Sequence, residues 1–278
     1  MGRYRPVAGA HAVDEAVVGV RLFEAVDDRL YQAAIEKASE LADRVNLPGR
    51  VQLDPMSLLV GRQVVSPGFT EMTMHPGMLF QRVNPDGSMA EELTIERMAV
   101  TYRTRSYRRW KDVQGYIADI LIPIVSCLSC EESGRLAVIE LRCLDKFTAS
   151  KADFPALNEL IRPECDLVPS HLLGRAEYLH AHSGWFDDVG EAGRSLINLN
   201  IDVTDDRSSG IQASILQVFS RQSARPGTFF GHEGSLPELV SQVFEDLHAQ
   251  DKAALARLLT DEMQAEINLA GSSGLGKH

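Results

Sequence analysis

Between Arg97 and Lys111 the chain carries Arg97, Arg103, Arg105, Arg108, Arg109 and Lys111 with no acid among them. A guanidinium group presents a planar fork of donors that fits carboxylate or phosphate oxygens. In a strand, alternate residues share a face, so Arg103 and Arg105 project together beside Tyr107. Arg108 and Arg109 follow at a Tyr-Arg-Arg-Trp corner, where Tyr107 or Trp110 could stack a flat group such as a base. Arg142, on the next strand, completes the candidate ligand- or partner-binding set. The same charges also suit a solvated edge strand that resists pairing with another sheet.

Other residue types fall short of a catalytic pattern. His180-Ala-His182 puts two imidazoles on one strand face, near His171, Asp187 and Asp188, which makes His180 and His182 the metal candidates. No His-Glu-x-x-His, facial triad or cysteine cluster accompanies them, so a polar, solvent-facing strand without metal is expected. Gly-x-Ser-x-Gly is missing, Gly184 and Gly193 read as turn residues, and no phosphate-binding glycine loop occurs. His248 and Thr260 are about 18 Å apart along a helix axis and cannot share one site; Thr260-Asp261 reads as a local cap. No catalytic residue and no cofactor are expected.

The elements that would position the arginines are clear. Val113, Ile117, Ile120, Leu121, Ile124 and Leu128 recur at three- and four-residue spacing, which predicts a helix after Trp110, stopped near Gly134. The strand Leu136–Phe147 then alternates. Ala137, Ile139, Leu141, Cys143 and Phe147 share one face; Glu140, Arg142 and Lys146 share the other. Earlier, Glu15–Glu24 reads as a strand with Ala16, Val18, Val20 and Leu22 on one face and Glu15, Gly19 and Arg21 opposite. A helix follows, capped by Asp27 or Asp28 and ended by Pro48-Gly49. Strands are expected at Val51–Val60, Phe69–Met74, Gly77–Val83 and Leu93–Tyr107, with an Asn84-Pro-Asp-Gly87 turn. Asp153–Arg162 predicts a short helix, and strands follow at Arg175–His182, Ser195–Asp202 and Ala213–Gln222. Ser235 and Pro237 open a long last helix, whose stripe is Val240, Val243, Leu247, Leu255, Leu258, Leu259, Met263 and Ile267.

The order strand, helix, several strands, helix thus occurs twice. Val18-Gly-Val-Arg-Leu-Phe23 aligns with Ile139-Glu-Leu-Arg-Cys-Leu144. An α+β fold is predicted, an internal duplication of a β-α-β-β-β-α unit with halves 12–133 and 134–268. It implies a mostly antiparallel curved sheet with long amphipathic helices on one face. Residues 1–11 and 269–278 read as flexible ends. A TATA-binding-protein saddle has this element order too, but the net charge of −11 opposes broad nucleic-acid or anionic-membrane binding. From Gly231 to Ala270 eight carboxylates face only Lys252 and Arg257, an acidic counterpart to the basic corner. Pro123 and Ser126 interrupt the longest apolar run, and the N-terminus lacks a secretory pattern. With Cys127-x-x-Cys130, Cys143 and Cys165 read as reduced thiols, this predicts a cytoplasmic protein.

Glu15-Ala-Val-Val-Gly-Val-Arg-Leu-Phe23, the Tyr107–Trp110 corner, Ile139-Glu-Leu-Arg142, and Leu247-His248 with Leu259-Thr-Asp-Glu262 together resemble a sporadically distributed bacterial family of uncharacterised proteins. That family has no assigned activity, and its patchy distribution is of the kind seen for accessory and antiphage-defence genes. It usually carries an aromatic residue and then an Asn after the central Arg, where this chain has Cys143 and Asp145. The resemblance implies an altered lining if those positions face a ligand. The leading expectation is a non-catalytic protein that binds another protein or its own copy. A small-ligand or nucleotide sensor using the arginines comes second, and a metal-dependent hydrolase third.

Overall fold

The computed structural model describes residues 3–53, 77–130, 132, 135–175, 178–188, 193–206, 210–224, 226 and 234–269. Its strands are β1 (Arg5–Pro6), β2 (Val13–Leu22), β3 (Gly49–Leu53), β4 (Gly77–Val83), β5 (Met89–Glu96), β6 (Ala99–Thr104), β7 (Leu136–Ala149), β8 (Leu179–Asp188), β9 (Arg194–Asp206) and β10 (Gly210–Gln222). They form one sheet in the order β3-β4-β5-β6-β2-β7-β10-β9-β8, with β1 also on β7, and every pairing is antiparallel. The α+β class is therefore correct. The expected strand over 69–74 and the Gly134 stop lie outside the described residues.

Helix α1 (Asp28–Arg44) starts where Asp27 accepts the Leu30 N–H at 2.9 Å. Ala34, Ala38 and Ala42 are buried along it, and these small residues let it approach the next helix closely. That helix, α2 (Trp110–Ser129), widens to a π-helical turn over Ile117–Leu121, where the Ile122 N–H reaches the Ile117 carbonyl. Pro123 follows immediately and supplies no donor of its own, so the ladder is interrupted on both counts. Its length and composition would pass for a membrane span, yet Val113, Ile117, Ile120, Leu121, Ile124, Val125 and Leu128 are spent in the core. A four-residue helix α3 (Ser170–Leu173) precedes α4 (Leu236–Leu258) and α5 (Asp261–Glu266). Ser235 and Glu238 form a capping box on α4, and Thr260 caps α5 after the chain breaks at Leu259.

Four expectations differ from the structure. Leu93–Tyr107 is not one strand: β5 turns into β6 through Arg97-Met98, a pair with none of the usual hairpin-turn residues to announce it. Arg97 is held there by the Val26 carbonyl at 3.1 Å, by Asp28 and by the Tyr31 ring. Asp153–Arg162 forms two 3-10 turns instead of a helix, because Pro155 forces Phe154 out of the helical region, to ψ 104°. Residues 3–11 are anchored: Tyr4 is fully buried and Arg5–Pro6 pair with β7. Gly184 lies inside β8, not in a turn, and a Cβ there would stand 2.6 Å from Asn198 Oδ1.

The core falls into two apolar clusters. The first joins Val18, Val20, Leu22, Phe80, Leu93, Ile139, Leu141 and Phe219 to α1, α2 and the N-terminal half of α4. The second joins Phe147, Ala149, Leu199, Ile201, Ala213 and Ile215 to Leu255, Leu258, Leu259 and Met263. Both clusters draw on the same alternate positions of β7 and β10.

Candidate functional site

The cross-strand register places Glu92, Arg103, Val17, Arg142, Val218 and Asn198 directly opposite one another in a single row over six adjacent strands, β5 to β9. This row belongs to the sheet face that the apolar clusters do not use. Arg103 stands 3.6 Å from Glu15 and 3.8 Å from Glu92, and Arg105 Nε donates to Glu15 Oε2 at 2.9 Å. Thr94 donates to Glu92 at 3.2 Å. Arg142 Nε donates to Glu140 Oε1 at 2.6 Å, and Lys146 pairs with Asp14 at 2.8 Å. Glu140 is enclosed and burial raises its pKa, with Arg142 and then Arg21 pulling the other way. The face carries local ion pairs, Arg103 and Arg105 with Glu15, Arg142 with Glu140 and Lys146 with Asp14, among uncharged residues such as Val17, Val218 and Asn198.

Only part of the expected binding set meets there. Arg103, Arg105 and Arg142 share this face. Arg108 is exposed at the corner before α2, and Arg109 pairs with Asp112 at 3.1 Å on the surface. Trp110 packs inward: its Nε1 donates to Glu245 at 3.0 Å and its ring stacks on His248 at 4.1 Å. Gln114 bonds the same carboxylate. Tyr107 meets His11 edge-on at 5.3 Å and lies near Cys143, Asp145 and Asp251; burial raises its pKa. The two aromatic rings and the sheet-face arginines therefore serve different faces. His180 and His182 are exposed on β8, bonded to Asp202 at 2.7 Å and Asn200 at 2.6 Å. No three His, Cys, Asp or Glu gather as a metal site among the described residues. Cys127 and Cys130 are free thiols, Cys130 in a left-handed cap conformation at φ 52°.

A second constellation has no counterpart in the expected set. Asp145 sits between Cys143 and Phe147 on the core side of β7, Gln217 between Ile215 and Phe219 on β10, and Asp251 between Leu247 and Leu255 on α4. These three polar residues form a seam between the apolar clusters. Gln217 faces Cys143 across the strand pair, and its Nε2 donates to Asp251 Oδ1 at 3.1 Å. The Cys143 thiol bonds Asp251, and Gln217 also bonds Asp145. Among the described residues Asp145 Oδ1 and Gln217 Oε1 find no hydrogen-bond partner.

Burial raises Asp251 to about 7, with Cys143 and Lys252 opposing, and lifts Asp145 well above the ordinary carboxyl range, reinforced by Asp251. Burial likewise raises Cys143, which leaves a neutral thiol rather than a nucleophile. His248, one turn before Asp251, is lowered to about 4 by burial and then by Lys252. This arrangement favours protonated carboxyl groups on either side of Gln217, and burial keeps its thiol neutral. The sequence signal was a polar residue at a stripe position, read past at 145, 217 and 251 alike.

No family model matches the chain, and no curated protein matches it in sequence.

Proposed function

We propose that this protein acts by binding a protein partner on the arginine–acid face of its sheet, with no chemistry of its own. The observation that carries this reading is the single row Glu92–Arg103–Val17–Arg142–Val218–Asn198. Six strands hold it in fixed register on the face opposite the apolar clusters, with Arg103 and Arg142 half-buried and Glu92, Val17, Val218 and Asn198 buried. Fixed charge over a rigid surface sets orientation and partner choice more than raw affinity. Charges of both signs, in a chain of net charge −11, favour a mixed protein surface over a phosphate backbone.

The fold that carries this face reads as a duplicated unit with its helices laid on the other side. Shifting β2 by the sequence offset maps Val17 onto Val138, Gly19 onto Glu140 and Arg21 onto Arg142. The observed pairs Val17↔Arg142, Gly19↔Glu140 and Arg21↔Val138 are carried onto one another by that exchange, as a local twofold axis through Gly19–Glu140 requires. In the second half, the place of α1 is taken by two 3-10 turns and α3.

The test is affinity capture from a bacterial lysate, with mass spectrometry, using wild type, Arg105→Glu on the face and Arg109→Glu off it. A partner retained by wild type and Arg109→Glu but lost by Arg105→Glu is the expected result. An identical retained set for all three proteins contradicts the proposal. Light scattering at high and low salt distinguishes a second copy of this chain from a different partner.

A further inference from the structure

The polar seam crosses α4 at its middle, and the two halves of that helix are held differently. Leu239, Val240, Val243, Phe244 and Leu247 anchor the N-terminal half in the first cluster, and Glu245 adds the Trp110 and Gln114 bonds. The C-terminal half rests on Leu255 and Leu258 in the second cluster, on Ala254 against the first, on the Arg257–Asp166 pair at 2.8 Å and on the Arg162 N–H at the Leu258 carbonyl at 2.9 Å. Just beyond it, Arg162 donates to the Leu259 carbonyl at 3.0 Å and pairs with Asp261 at 2.8 Å. Between these two attachments Asp251 bonds to Gln217 and Cys143.

We propose that Asp145 and Asp251 form a proton-held latch: while the pair keeps a proton, the C-terminal half of α4 stays docked with α5, and losing it loosens both. The geometry asks for that proton. Asp145 Oδ1 and Gln217 Oε1 are enclosed acceptors with no donor among the described residues, and a protonated carboxyl adds one O–H to a cluster that lacks it. Without it, two carboxylates would share a site enclosed by apolar clusters, the arrangement in which both cannot ionise cheaply.

The surrounding charges do not offset this. From β7 the group is faced by Cys143 and from β10 by the uncharged Gln217; from α4 come His248 and Lys252. The segment before α2 contributes Tyr107, with His11 behind it. Burial lowers His11 and raises Tyr107 and Cys143, so each is shifted toward its neutral form. His248 is stacked on Trp110, in the half of the helix that remains docked. Lys252, next to Asp251 in sequence, opposes the rise of Asp251 and burial outweighs it, and His248 Nδ1 lies 3.8 Å from Asp251 Oδ2.

The closed form keeps protons that the open form releases. Opening should therefore grow about tenfold per pH unit as Asp251 loses its proton, from the ordinary carboxyl range up to pH about 7, where the Asp251 contribution levels off. Acidification tightens the latch.

Amide hydrogen exchange on the full-length protein between pH 5 and 7.5, normalised for the intrinsic rate, reads this directly. Wild-type protection over residues 251–258 should fall at least about tenfold per pH unit relative to residues 239–247. The Asp145→Asn/Asp251→Asn variant should show no such slope. A flat wild-type profile, or the same slope in the variant, overturns the latch. Should the double variant fail to fold, Asp251→Asn alone must lessen the slope. A wild-type infrared spectrum at pH 6 without a protonated carboxylic acid also overturns it.

Discussion

Glu140 on β7 and Asp251 on α4 are enclosed acids on opposite sides of the strand pair β7–β10, and the protein treats them in opposite ways. Burial raises both. On the sheet face, Glu140 receives Arg142 Nε at 2.6 Å and feels Arg21, so its charge is matched in place. In the seam, Asp251 receives an amide and a thiol, and its nearest like group is another acid. An enclosed acid with a guanidinium partner is an anion that orders a surface. An enclosed acid beside a second acid is a proton store. Removing charge should then have opposite signs in the two places, and that contrast can be broken experimentally.

The largest effect belongs to the seam. Asp251 has a folded pKa of about 7 against an ordinary 3.8, so its folded form binds the extra proton between those values. Its contribution to stability is intact at low pH, declines as pH rises toward 7, and is fully lost above it. In urea unfolding at pH 7.5, Asp251→Asn should be more stable than wild type by up to about 4 kcal/mol, and nearly equal to it at pH 4.

His248 has the opposite sign. Its folded pKa of about 4 lies below the ordinary 6.5, so its contribution is present above pH 6.5 and lost as pH falls toward 4. In wild type this partly masks the slope of the two acids. His248→Phe should unmask it, steepening the decline of stability from pH 4.5 to 6.5 by roughly 3 kcal/mol in urea midpoints converted to free energy.

On the sheet face the same kind of change destabilises. Arg142→Ala leaves Glu140 enclosed beside Arg21 alone and should cost about 2–3 kcal/mol. Adding Glu140→Gln should recover most of that loss in a double-mutant cycle. The smallest effect is expected at Arg109, which is 72% exposed in its pair with Asp112. Arg109→Glu should change stability by less than about 0.5 kcal/mol in thermal unfolding.

Periodicity made much of this legible. The alternation in Glu15–Glu24 and Leu136–Phe147 picked out the apolar face of β2 and β7, although Val17, Val138 and Glu140 on the other face are buried too; of the two cap candidates Asp27 caps α1, and the Ser235 and Thr260 caps fall where they were read. Arg103 and Arg142 were singled out as one set, but that Val17 stands between them is a matter of strand pairing, which no local pattern encodes. Tyr107 and Trp110 were grouped with the arginines because they are neighbours in sequence. The chain turns between Thr104 and Trp110 and sends both rings to the core side. The seam was hidden by its own logic. Asp145 interrupts the face of Cys143 and Phe147, and Asp251 interrupts the stripe of Leu247 and Leu255. A single polar residue in an apolar stripe looks like noise until three such interruptions meet in space.

The most direct test of the contrast is a carboxyl carbon-13 titration of wild-type protein with aspartate and glutamate labelled, each signal assigned by substitution to Asn or Gln. The account predicts an Asp251 midpoint near 7 and an Asp145 midpoint well above the ordinary carboxyl range. It also predicts that Asp251→Asn moves the Asp145 midpoint down. Midpoints for both aspartates near 4, unmoved by that substitution, would contradict a seam that holds a proton.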